Sequence, residues 1–146
     1  MTRSTLPGKI GYILSNILVM VILHGNSKQF WPKIPYLSLR NESIGEHVRL
    51  IFNTLSVTTL AQALLGRLPR ERWLPRALTI GVIPAALPAM ILFGQKVLRL
   101  KGQSAEVYNL SLVPLLPLAA VAVEDALAGQ FATAPAPDHA DYTHLV

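Results

Sequence analysis

The stretch GVIPAALPAM, residues 81–90, sets Pro84 and Pro88 four apart inside an apolar run. LVPLLPLAA, residues 112–120, repeats the device with Pro114 and Pro117. In a water-exposed helix an interior proline costs about 3 kcal/mol and removes a backbone hydrogen bond. In hydrocarbon the competing conformations are worse, because no water satisfies an unwound backbone, so membrane helices keep prolines and bend at them. The two pairs therefore read as bilayer-spanning helices with proline kinks. Each pair also frees backbone carbonyls, which call for donors on a neighbouring helix.

Charge distribution points the same way. Only 14% of the 146 residues are charged, against about 25% in ordinary soluble domains. The runs 10–27, 50–66, 77–95 and 107–123 contain no Asp, Glu, Lys or Arg over 18, 17, 19 and 17 residues. A hydrocarbon core of roughly 30 Å asks for about 20 helical residues, with about 17 the lower end. A soluble bundle of four helices buried all round is the competing reading. A domain of this size has too much surface for its core to hide four such helices without partners. The fold expected is an all-α membrane protein: a four-helix transmembrane bundle, helices 3 and 4 kinked at their prolines. Residues 1–128 form the four-span domain and residues 129–146, rich in Ala, Pro and Asp, a flexible tail.

The net charge is +5, which in a soluble chain would raise nucleic acid as a partner. Here the cations sit between the apolar runs, as Arg67, Arg70, Arg72 and Arg76, and as Lys96, Arg99 and Lys101. That is where a span meets headgroups, and no nucleic-acid motif accompanies them. Cysteine is absent, so no disulfide or thiolate chemistry is available. The N-terminus, with Arg3 and Lys9 before an apolar core, has the outline of a secretory signal, but HGNSKQFWPK follows where a small-x-small cleavage site belongs. Segment 1 is therefore read as a retained span, a cleaved signal being the alternative. Phe30, Trp31 and Tyr36, among Pro32 and Pro35, resemble an interfacial aromatic belt. The short, arginine-dense connection 66–76 places both termini on the cytoplasmic side, although the total cation counts on the two sides are nearly equal.

Span 2 carries the best local signal. Ser43 to Glu46, SIGE, is a capping box ahead of a helix expected over 44–65. Thr54, Thr58 and Gln62 recur every four residues, one stripe of a helix, with Asn53 and Ser56 beside it. Gly81, Ala85 and Ala89 of span 3 form a small-xxx-small face that would let the backbones approach closely. The expected packing sets the polar stripe of span 2 against kinked helices with small faces. The same stripe lining a hydrated pathway is the functional alternative.

Chemistry-bearing constellations are few. His24 and His47 fall at the same membrane face in this topology, while His139 and His144 lie in the tail; their spacing builds no helical metal site. Asn41 and Asn109 open NES and NLS triplets, frequent by chance. No catalytic triad, phosphate-cradling loop or paired catalytic carboxylate is visible. Glu124 and Asp125 end span 4 at the face that also holds Lys9, Arg67 and Arg76, so ion pairs tying the bundle together are expected there. With span 4 ending near Val123 these acids are interfacial; set deeper and unpaired, they would mark an ion or proton site. The expected function is a non-catalytic accessory or scaffold subunit acting through helix packing. Its partners are the lipid bilayer and other membrane subunits or a second copy of the chain, with no cofactor, metal or nucleic acid. The alternatives are a small oligomeric transporter or channel, and a membrane enzyme on lipid-like substrates.

Overall fold

The computed structural model describes residues 5–25, 34–38, 40 and 43–133. Among them are four α-helices and no strand: α1 (Leu6–Gly25), α2 (Ile44–Leu64), α3 (Trp73–Leu92) and α4 (Gln103–Thr133). Phe30, Trp31, His139 and His144 lie outside the described residues, as does the tail beyond 133. α4 runs five residues past the boundary expected at 128, carrying Glu124 and Asp125 inside a helix rather than at its end.

Each local boundary has a chemical cause. The Ser43 hydroxyl accepts from the Glu46 amide and starts α2. Gly66, at φ 65°, ends it. There the Arg67 amide reaches the Gln62 carbonyl (2.8 Å) and the Gly66 amide that of Ala63 (3.0 Å), the closure that a left-handed glycine permits. A 3-10 turn, Arg70–Arg72, then leads into α3, with Pro75 in its first turn where no amide partner is lost. α3 passes through Pro84 and Pro88, and α4 through Pro114 and Pro117, without interruption of the helix.

The helices close into a ring: α1 packs on α2, α2 on α3, α3 on α4, and α4 back on α1. Neighbours run antiparallel. Lys9 at the start of α1 meets Asp125 late in α4, and His24 at the end of α1 meets His47 at the start of α2. The core joins Tyr12, Met20 and Leu23 of α1 to Leu50, Ile51 and Leu55 of α2, and to Ile83, Leu87, Leu112, Leu116 and Ala120 of α3 and α4.

Three helical stretches, Leu6–His24, Arg70–Val97 and Gln103–Ala132, are long and apolar enough to cross a membrane, which points to an integral membrane protein. α2 is not among them. Its capping residues Glu46, His47 and Arg49 and its row of amides and hydroxyls lower its hydropathy, so the expected fourth span is not marked by composition.

Two packing expectations are corrected. Gly81, Ala85 and Ala89 are exposed, on the outside of the ring. The inward row of α3 is Arg76, Thr79, Ile83, Leu87 and Ile91. Residue 81 precedes residue 83 by two, which at 3.6 residues per turn is nearly the opposite face. Nor do hydroxyls of α2 serve the carbonyls freed by proline. Thr54, Thr58 and Thr79 bond the carbonyls of Leu50, Thr54 and Pro75 on their own helices. A threonine hydroxyl has its own i−4 carbonyl always within reach, which competes with any carbonyl on a neighbouring helix.

The end of α3 is closed by a glycine contact. The helix widens to a π turn over Phe93–Val97. Gly94 is buried there beneath Tyr108 of α4, whose hydroxyl donates to the Met90 carbonyl at 2.7 Å. A β-carbon at Gly94 would lie 2.5 Å from Tyr108 Cε1. Gly94→Ala is therefore expected to displace the ring and destabilise the fold by about 1–3 kcal/mol, the usual cost of overpacking. Gly81→Ala, whose methyl meets nothing within 4 Å, should leave thermal unfolding in detergent unchanged or slightly raised, and comparison of the two melting curves checks this.

Candidate functional site

At the end of the ring formed by the start of α1 and the 65–72 turn, charged side chains converge from α1, α3 and α4. Arg76, 6% exposed, donates from Nε to Glu124 Oε2 at 2.5 Å, and Glu124 is 4% exposed. Its Nη1 donates to Gln62 Oε1 at 2.9 Å and lies 3.4 Å from Thr59 Oγ1 on α2. Its guanidinium carbon sits 3.9 Å above the Tyr12 ring of α1. One side chain thus touches all three other helices. The fork of five N–H donors lets arginine do this where lysine could not, and the cation over an aromatic face adds about 0.5–2 kcal/mol.

Arg72 lies one turn before Arg76 and bridges both acids, donating to Asp125 Oδ1 at 2.6 Å and reaching Glu124 Oε1 at 3.4 Å. Lys9 donates to Asp125 Oδ2 at 2.5 Å. All four carboxylate oxygens therefore face a cation. The Arg76–Glu124 pair is buried, whereas the Lys9–Asp125 pair is about a third exposed on each side, so the two differ in what their loss costs.

Of the five residues expected at this face, Lys9, Arg76, Glu124 and Asp125 come together. Arg67 does not: it is exposed at the rim and makes no ion pair with either acid among the described residues. Arg72 takes its place. The overlooked signal was the i, i+4 spacing of Arg72 and Arg76, which stacks them on one helix face.

The polar stripe of α2 divides. Thr54 and Thr58 are buried, and the Thr58 hydroxyl lies 2.7 Å from Asn16 Oδ1 of α1 and 2.8 Å from its own i−4 carbonyl. Asn16, wholly buried, donates to the Tyr12 carbonyl at 2.9 Å. Gln62 joins the Arg76 cluster. Asn53 turns to the loop and donates to the Tyr36 and Leu37 carbonyls at 3.1 and 3.3 Å. Arg49 grips the same loop through the carbonyls of Tyr36 and Ser38. Ser56 is half-buried beside the stripe. Tyr12 and Asn16, one turn apart on α1, were also missed; their signal is two polar groups in register within an otherwise apolar segment.

Beside the cluster a cleft of about 610 Å³ opens between α1 and α2. Lys9, Arg67, Arg72 and Arg76 line one end with Glu124 and Asp125; Gly11, Leu18, Val57 and Ala61 line its length. The hydroxyl of Tyr12, another lining residue, is buried without a hydrogen-bond partner. At the opposite end of the ring the His24 and His47 ring centroids are 5.6 Å apart. No group of three or more His, Asp or Glu able to hold a metal occurs among the described residues.

The buried pair sets a clear expectation. Glu124→Gln leaves the Arg76 charge buried with a neutral partner and should destabilise the fold by about 3–5 kcal/mol, while Arg76→Met with Glu124→Leu together should recover most of that loss. Asp125→Asn, at the more exposed pair, should cost about 1 kcal/mol or less. A double-mutant cycle in detergent unfolding checks both. Thr58→Leu, which strands Asn16, should cost about 1–3 kcal/mol, whereas Leu60→Ala, at a side chain 60% exposed, should change stability by no more than about 0.5 kcal/mol. No protein-family model, curated protein or solved structure matches the chain, so the functional reading rests on this geometry.

Proposed function

We propose that the chain is a multi-pass integral membrane protein whose four helices all cross the bilayer, bending at their prolines. We further propose that it works as a non-catalytic subunit through helix packing. The observation that carries the membrane reading is an inverted distribution of polarity. The interior holds Asn16, Thr54, Thr58, Thr79, Arg76 and Glu124, while Leu14, Leu18, Phe52, Leu60, Leu78, Val82, Leu110 and Leu118 point outward. A water-soluble protein of this size rarely leaves contiguous apolar surface of this extent uncovered. In a bilayer the same surface faces acyl chains, and the buried polar groups pair with one another because no water is present.

The same distribution supports reading α2 as the fourth span. Its polar atoms are spent inside the ring and on the loop, and Phe52, Leu60 and Leu64 face out. Trp73, exposed at the level of the charged cluster, suits the headgroup region. The non-catalytic reading is supported by the engagement of the acids. Each oxygen of Glu124 and Asp125 already faces an arginine or lysine, and on the Thr54–Thr58 edge both threonines are buried, with the Thr58 hydroxyl engaged by Asn16 of α1. A transport pathway along that edge would need it hydrated.

Two measurements test this. The full chain should remain in the membrane pellet after alkaline carbonate washing, and recovery in the supernatant would remove the membrane reading. Reporters fused after Val146 and inserted in the 98–102 turn should read on opposite sides, with the C-terminal one cytoplasmic. Reporters on the same side would leave α4 uncrossed.

A further inference from the structure

The cleft between α1 and α2 is the feature that helix packing alone does not explain. Gly8, Gly11 and Ala61 contribute little side-chain volume to the seam and leave it unfilled where the basic end begins. A β-carbon at Gly11 would meet nothing within 4 Å. Its volume, about 610 Å³, falls in the range of about 300–1,000 Å³ typical of small-molecule sites. Gly11, Ser15, Leu18, Ala61 and Leu65 of its lining are exposed, so it opens sideways from the ring. On the membrane reading of the preceding section, on which this inference rests, that opening faces lipid.

Charge at the closed end has a definite sign. Four cations, Lys9, Arg67, Arg72 and Arg76, meet only two carboxylates, Glu124 and Asp125. Arg72 and Arg76 are consumed by the acids, and Lys9 by Asp125 alone. Arg67 is left exposed at the rim with no acid of this cluster. The excess lies at the level where α1 and α3 begin, which is the headgroup level of a spanning helix. A cationic end continuous with an apolar lateral groove complements an anionic amphiphile. We propose that this cleft holds one anionic phospholipid, its phosphate at Arg67 beside the Lys9–Asp125 pair and an acyl chain along the α1–α2 seam past Gly11 and Leu18. Arginine supplies the forked donors that suit phosphate oxygens.

The test uses the full chain, purified in mild detergent, stripped of lipid by exchange, and titrated with phosphatidylglycerol or phosphatidylcholine while bound lipid is counted by native mass spectrometry. One phosphatidylglycerol per chain is expected to be retained, with affinity falling as salt rises, and phosphatidylcholine is expected not to be retained. Arg67→Gln, an exposed change that breaks no ion pair of the cluster, should weaken binding about fivefold, the worth of one basic residue at a membrane surface. Gly11→Leu fills the groove without changing any charge and should abolish retention while the melting temperature in detergent stays at or above that of the parent. Equal retention of the two lipids, or phosphatidylglycerol binding unchanged in Gly11→Leu, would overturn the site. Competition by glycerol phosphate as strong as by the lipid would overturn the seating of the acyl chain. A chain that stays in solution without detergent would instead remove the membrane reading itself, an outcome separate from loss of lipid selectivity in a chain that needs detergent.

Discussion

A guanidinium that is almost wholly buried must take its partners from the protein, and Arg76 does so by touching each of the other three helices. It takes a carboxylate from α4, an amide and a hydroxyl from α2 and an aromatic face from α1. Much of the ring's geometry is a consequence. α2 must end close to the start of α3 for Gln62 to be in reach, which the glycine closure at Gly66 and the short turn to Arg72 accomplish. α4 must run beyond its apolar stretch to bring Glu124 to the same level, and its helix does so. Such a pair adds little net stability against an apolar replacement, since desolvation offsets most of the attraction. Its value is in specifying one arrangement of four otherwise similar helices, because any other register leaves a buried charge alone.

The other end of the ring is held by different means. Tyr108 lies on Gly94, and its hydroxyl occupies the Met90 carbonyl. A π turn widens the backbone there and changes which carbonyls the helix itself can satisfy. Between the two ends, the contacts of Thr54, Thr58 and Asn16 are short-range and mostly within single helices. The fold is thus pinned at its ends and packed by shape along its middle. That division suits a lateral cleft on one seam, since a gap between α1 and α2 breaks none of the interactions that set the register.

The amino-acid order alone determined the helical class and the face at which charge would gather, and of the four apolar segments it suggested, three are long and apolar enough to cross a membrane. Those properties follow from composition and from the 3.6-residue period, which are local. It also placed the start of α2 at Ser43 and its end at Gly66, where side-chain capping and positive φ act over a few residues. Which way each helix turns was decided only by the tertiary structure. Gly81, Ala85 and Ala89 look like a contact face by spacing, but α3 is rotated so that Arg76 and Thr79 point inward, because satisfying a buried cation outweighs the gain from close backbone approach. Arg72 replaces Arg67 for the same reason: rotation places the residue one turn before Arg76 over the acids and leaves Arg67, beyond the left-handed Gly66, at the rim. The polar stripe of α2 divides between core and loop because Asn53 finds loop carbonyls on its side of the helix and Thr58 finds Asn16 on the other. Periodicity reports that residues share a face; only the partner across the interface decides which face is inside.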